Sequence, residues 1–466
     1  MATKTWKIQG DGLAAWAAAA LLARALPDGH VVTIEEGPEP EAQELQPVLV
    51  EPDGLLLQLA DGGDDLMVQA HGGFCLGVVL RDWRQERDVA VVEQEPLPAL
   101  DGVAVQDVVL RAAQRSPGGH DYAALLEPLQ FQARVMSAGR YAHPSLDRQS
   151  PRSLLRPRLL LDRAVLTTLL KSAALRDGAR RVSAEEVDGS TPFMTLDTRA
   201  AAFQDADDWR DRLGHDRRLT VRYRGGEQPP YVAVRALTEG LLTLTPLRGA
   251  GVASLCYAEQ QTSPDQARGS LLGALGDVEI VDLSDAAARP GFLRTPWLGD
   301  RLALGPAAAR FGPALGLDDI VLGQQLKTLA ACLPGATDQI PACAAAYTTA
   351  IMRDLGCRAD RLNLILRQGP RGAALAPFGP DLERRVGQFL SRNGAVRLDG
   401  DPYDAQHWAM LMAGLGLAPR RHDVQVDRLD LSAALGALGR MVMAFDQTLA
   451  ALPTHDTVMT DLYGAG

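Results

Sequence analysis

The chain has 466 residues, enough for a cofactor-binding domain and a substrate region, and its 46% hydrophobic and 23% charged residues are those of a globular protein with a large core. A formal net charge of -11 argues against a surface built for nucleic acid or an anionic membrane, which would repel it. Its five cysteines, Cys75, Cys256, Cys332, Cys343 and Cys357, are scattered without CxxC spacing, so neither a zinc site nor a disulfide framework is indicated and a reducing compartment is expected.

Residues 5–9 read as a short strand, Gly10-Asp11-Gly12 as a tight turn, and the alanine-rich run 14–26 as a helix that Pro27-Asp28-Gly29 stops. Residues 30–34 form a second strand ending on Glu35-Glu36. Lys4 and Lys7 ahead of the apolar residues 13–23 imitate a signal peptide, but the glycine turn interrupts that pattern and a βαβ unit accounts for the same residues. Since no apolar run approaches the roughly 20 residues of a membrane span, a cytoplasmic protein without a membrane partner is expected.

The stretch 37–70, rich in Pro, Gly, Asp and Glu, reads as long exposed loops, and residues 74–83 as a strand. Helices are expected at 107–114 and 129–138, on either side of the breaker Ser116-Pro117-Gly118-Gly119. Residues 155–161 lead into another helix, with Asp162 as its cap, Val165, Leu166, Leu169, Leu170 and Ala173 on one face, and Gly178 closing it. Alternation over 219–223, 231–237, 241–245 and 251–257 predicts an antiparallel sheet. Beyond Ile320 the pattern is helical, at 324–333, 342–355, 382–392, 404–415 and 431–452.

The glycine turn between strand and helix is the physical case for a dinucleotide site. Gly10 permits the turn, Gly12 admits a pyrophosphate to the backbone, Leu13 and Ala14 open the helix whose N-terminus faces the anion, and the small Ala15 allows close packing. Glu35 is placed for ribose hydroxyls, whereas Asp11 is out of place beside a phosphate; a purely structural βα turn is the alternative. A second strand, small-residue loop and helix start span 302–317, with Gly305, Pro313, Gly316 and Leu317 positioned for backbone approach to a flavin ring or, alternatively, for ordinary close packing.

Gly10 to Trp16 resembles the GxGxxGW opening of the flavin-dependent tryptophan halogenases, with Ala15 in the third glycine position. Residues 73–83 are similar to the family's strand after the flavin loop, and 159–182 to one of its helices. Residues 240–247 stand where the family has WxWxIP. Gln406-His407-Trp408, residues 414–419 and Leu452-Pro453-Thr454-His455 are similar to its last helices and Pro-x-His ending. The resemblance runs in order along nearly the whole chain. It implies an α/β fold with a Rossmann-type FAD-binding domain of the flavin monooxygenase and halogenase kind. In that arrangement 1–200 and 291–335 are the two parts of the FAD domain, 201–290 an inserted antiparallel sheet, and 336–466 a helical C-terminal region.

Against that family, the catalytic lysine falls at Cys75, the second glutamate of FLEPLEST at Gly316, and the two WxWxIP tryptophans at Leu241 and Thr243. Pro313 and Gly316 instead match the PxxG spacing of flavin monooxygenases, in which small residues leave room at the flavin's reactive face. The expected activity is therefore FAD-dependent hydroxylation of an aromatic, indole-type substrate. The features resemble the flavin monooxygenases that mature quinohemoprotein amine dehydrogenase by hydroxylating tryptophan within a polypeptide, so a tryptophan-containing polypeptide and a flavin reductase are the partners considered. The alternatives are a halogenase and a non-catalytic binding protein of the same fold. His71 is a candidate acid or base and Cys75 a weak catalytic candidate, with a solvated loop histidine and a packed thiol as their bland readings. Asp318-Asp319 is read as capping a helix near Ile320, and His143, His215 and His455 show no ligand spacing.

Overall fold

The computed structural model describes all residues except 1–2, 36–45, 63–64, 85–86, 94–96, 98, 116–120, 184–190, 201–205 and 465–466. Glu36 and the breaker 116–119 lie outside the described residues. Two compact units are built from 1–73, 159–226 and 245–356, and from 74–158, 227–244 and 357–466.

In the first unit, β1 (Lys4–Gln9), α1 (Leu13–Ala25) and β2 (His30–Glu35) form the expected βαβ. The two strands are parallel, with Trp6 opposite Val32 and Ile8 opposite Ile34, all four buried. The sheet runs in the order Arg180–Val182, β2, β1, Met194–Asp197, Arg301–Ala303, all parallel, and Trp297–Leu298 pairs antiparallel at the edge. Helix α1 packs on the helices Arg163–Arg176 and Leu317–Ala331. Ala17, Ala18, Ala19 and Ala20 are fully enclosed, because helices on more than one side leave no room for longer side chains.

Asp162 caps the Arg163–Arg176 helix as expected, accepting from the Ala164 amide, and Leu166, Leu170 and Ala173 are buried on the predicted face. Residues 158–162, however, form a strand leading into that helix. Its partner corrects another expectation. Pro47–Val50 (β3), inside the stretch read as exposed loops, pairs antiparallel with residues 159–162 and buries Val48, Leu49 and Val50. Leu55–Ala60 and Leu66–Gln69 of the same stretch are short helices. A strand this short gains its stability from a partner distant in sequence, which local composition does not register. The unit also contains the antiparallel strands Glu279–Ala287, Arg217–Arg224 and Ala250–Tyr257.

In the second unit, Val232–Ala236 forms a hairpin with Gly240–Leu247 and lies parallel to Val78–Arg84, which pairs with Arg87–Val91. The strand predicted over 74–83 is broken into Gly73–Cys75 and Val78–Arg84. At the break, a Cβ on Gly77 would lie 2.6 Å from the Val91 carbonyl oxygen. The helices Val105–Arg115, Phe131–Ser137, Pro380–Arg392, Ala405–Gly414 and Leu431–Ala451 are close to prediction, and His455–Tyr463 was not foreseen. Ile340–Arg367, of which residues 340–356 belong to the first unit and 357–367 to the second, is a 28-residue helix where a shorter one was expected. Among the described residues, no helix is long and apolar enough to cross a membrane.

Candidate FAD site

Gly10 closes β1 with φ +122, and a Cβ there would lie 2.2 Å from Thr198 Oγ1, so the turn requires glycine. Thr198 donates from both its amide and its hydroxyl to the Gln9 carbonyl at 2.9 Å, pinning the end of β1. Gly12, the N-cap of α1, has no atom within 4 Å of its Cβ position. The helix carries neither a side-chain cap nor an acidic residue in its first turn. Leu13, Ala14 and Ala15 therefore present first-turn amides that no earlier carbonyl of the helix can satisfy, the arrangement that receives a phosphate. Asp11, out of place beside an anion, accepts a hydrogen bond from Trp16 Nε1 at 3.3 Å.

The carboxyl ends of the parallel strands carry a polar rim. Glu35 is held by Lys7 Nζ at 2.5 Å and by Gln9 Nε2 at 3.3 Å. Arg199 donates to Gln9 Oε1 at 2.9 Å and to both Asp197 oxygens at 3.0 and 2.7 Å. Open parallel sheets bind ligands at this edge. Gln9 and Arg199 were not singled out in the sequence, and Lys7 was noted there only for its resemblance to the start of a signal peptide, although it lies two residues before Gln9 on the same strand face.

The second loop rests on the first. Gly305 has φ +58, and its Cβ would lie 2.8 Å from that of Ala14. Pro313 precedes a 3-10 turn, Ala314–Gly316, in which Leu315 (φ 66) and Gly316 (φ 62) are both left-handed. Leu315 is a buried, non-glycine residue in a conformation that L side chains avoid, a feature with no sequence signal. A Cβ on Gly316 would lie 2.8 Å from Leu49 Cδ2, and the buried Leu317 starts the next helix.

Asp318 and Asp319 lie within the first turn of that helix rather than ahead of it, so the capping expectation is corrected. Asp318 accepts from the Phe311 amide at 2.6 Å, while Asp319 accepts from the Leu49 amide at 3.0 Å and from Arg163 at 2.5 Å. Both carboxylates thus tie the loop and β3 to the helix. Burial pushes the Asp318 carboxyl up to about 6.

His71 is exposed on a loop with φ +46. Cys75 is buried, its thiol donates to the Gly77 carbonyl at 3.3 Å, and burial pushes its pKa up, the properties of a packed thiol rather than an activated one. Leu241 and Thr243 pair opposite Ala236 and Val234 in the hairpin. In the second unit, His455 donates from Nδ1 to the Gln228 carbonyl at 2.7 Å, its buried Nε2 has no partner, and its ring stands edge-on to Phe74 and Tyr141.

The family model for tryptophan halogenase matches residues 6–192 and 193–430. The chain belongs to the tryptophan halogenase family. This family is flavin-dependent and uses FAD, and the open Gly12 turn fits that cofactor. Two solved flavin-dependent halogenases share 20% identity with the chain. BrvH from Brevundimonas sp. BAL3 superimposes with a TM-score of 0.84, the match covering 99% of each chain. The Xanthomonas campestris enzyme does so with 0.85, over 100% of this chain and 99% of its own. The tryptophan 6-halogenase SttH from Streptomyces toxytricini shares 16% identity with a TM-score of 0.81, over 98% and 99%. These structures establish the α/β halogenase fold with its Rossmann-like sheet and helical C-terminal region. No curated protein matches the sequence. FAD would supply the redox chemistry when bound, and the turn from Gly10 to Ala15 would hold its pyrophosphate.

Proposed function

We propose that this tryptophan-halogenase-family protein is an FAD-dependent monooxygenase that hydroxylates an aromatic, indole-type substrate. The observation that carries the reading is Cys75, at the position of the family's catalytic lysine. It is a buried thiol bound to the Gly77 carbonyl and offers no ammonium group to direct a halogen oxidant. Gly316, at the position of the second glutamate, supports the same conclusion.

The finer reading is that the substrate is a tryptophan side chain in a partner polypeptide during quinone cofactor maturation, with reduced FAD delivered by a reductase. Leu241 and Thr243 in place of two pocket tryptophans support a larger substrate, whose binding energy comes largely from contacts remote from the reacting ring. A second reading, a halogenase acting on the same class of substrate, is favoured by the family match and by the flavin-dependent halogenases similar over the whole chain.

The test supplies reduced FAD, oxygen and either free tryptophan or a tryptophan-containing polypeptide, with and without chloride or bromide, and reads product mass. Addition of one oxygen independent of halide is the expected result. A halide-dependent gain of one halogen replaces the monooxygenase reading with the halogenase, and efficient hydroxylation of free tryptophan with none of the polypeptide removes the partner.

A further inference from the structure

The second glycine loop of the first unit, which packs on the first, is held by one buried side chain. Gln325, on the Leu317–Ala331 helix, is 0% exposed, and its Oε1 accepts the Gly305 amide at 2.8 Å. Gly305 in turn lies so close to Ala14 that a Cβ would come within 2.8 Å of the alanine methyl, so the loop sits on the first turn of α1, beside the open Gly12. Because the Gly305 amide is a donor, the carboxamide is oriented with its oxygen toward it, which leaves Nε2 buried without a partner. A methionine or leucine of similar volume would avoid that orphaned donor. A carboxamide kept at such a position is there for its oxygen.

We propose that Gln325 is a positioning residue of the FAD site. By holding the Gly305 amide it fixes the spacing between the 305–308 loop and the N-terminus of α1, and so sets how tightly the flavin nucleotide binds. This rests on the reading of the Gly10-to-Ala15 turn as the pyrophosphate site.

The test measures the FAD dissociation constant by fluorescence quenching, together with the melting temperature of the FAD-free protein. Gln325→Met is expected to weaken FAD by about tenfold or more. Gln325→Glu, whose protonated carboxyl keeps the acceptor oxygen, is expected to recover binding toward wild type as pH falls and the carboxyl becomes neutral. Lowered melting temperature with unchanged FAD affinity in Gln325→Met would reduce the residue to packing and overturn the proposal. If Gln325→Met does not fold, Gly305→Ala disturbs the same junction from the other side, and unchanged FAD affinity there is equally fatal. Unaltered FAD binding in Gly12→Val overturns the turn reading and the proposal together. Weakened binding in Gly12→Val beside unaltered binding in Gln325→Met overturns the proposal alone.

Discussion

Gly10 and Thr198 are so closely apposed that a Cβ on the glycine would lie 2.2 Å from the threonine Oγ1, the hydroxyl that also donates to the Gln9 carbonyl. Gly12, two residues on, faces open space. The two glycines therefore fail differently when substituted. Gly10→Ala meets both the clash and a φ of +122 and is expected to cost about 2 kcal/mol or more of stability. Gly12→Val is expected to fold with a melting temperature near wild type while weakening FAD by about an order of magnitude or more. Thermal melts and flavin titration of both variants separate the effects, and a folded Gly12→Val that binds FAD normally removes the turn from the site.

Thiol reactivity follows burial. Cys75, Cys256 and Cys357 are buried; burial pushes the Cys75 thiol up and those of Cys256 and Cys357 up to about 12. Cys332 and Cys343 are half-buried. A thiol reagent at neutral pH is expected to label only Cys332 and Cys343 in the native protein, and all five cysteines after unfolding, as read by peptide mass mapping. Rapid native labelling of Cys75 would show an activated thiol and return it to the catalytic candidates.

Leu315 is left-handed at φ 66 and buried. Leu315→Ala and Leu315→Gly remove nearly the same packing, but alanine keeps the backbone strain and glycine relieves it. Glycine is therefore expected to be the more stable of the two by about 1 kcal/mol, the reverse of their order in an ordinary helix. Denaturant unfolding of the pair decides it, and a more stable alanine variant would show that the strain is absent.

Asp318, pushed up to about 6 by burial against an ordinary value of 3.8, binds its proton more tightly in the folded protein than in the unfolded chain. Its ionisation therefore opposes folding above about pH 6, and that cost disappears as pH falls toward the unfolded value. Asp318→Asn keeps an acceptor for the Phe311 amide. It is expected to stabilise the protein at pH 8 by on the order of 2–3 kcal/mol, with the gain vanishing near pH 4. A gain equal at both pH values would contradict the assignment.

The sequence by itself determined the βαβ opening, the capped helix after Asp162, the hairpin strands and the helical C-terminal region, because each follows from propensity, periodicity or turn chemistry within a short window. It also placed the glycine turn. Tertiary structure alone decided the rest. The strand Met194–Asp197 lies between β1 and Arg301–Ala303, and β3 emerges as a buried strand from a stretch that reads as loop. Gly316 is fitted to Leu49, Gly305 to Ala14, and Gln325 to Gly305. Each of these joins residues far apart along the chain, where close approach is set by what the fold brings alongside, and no local pattern encodes the neighbour.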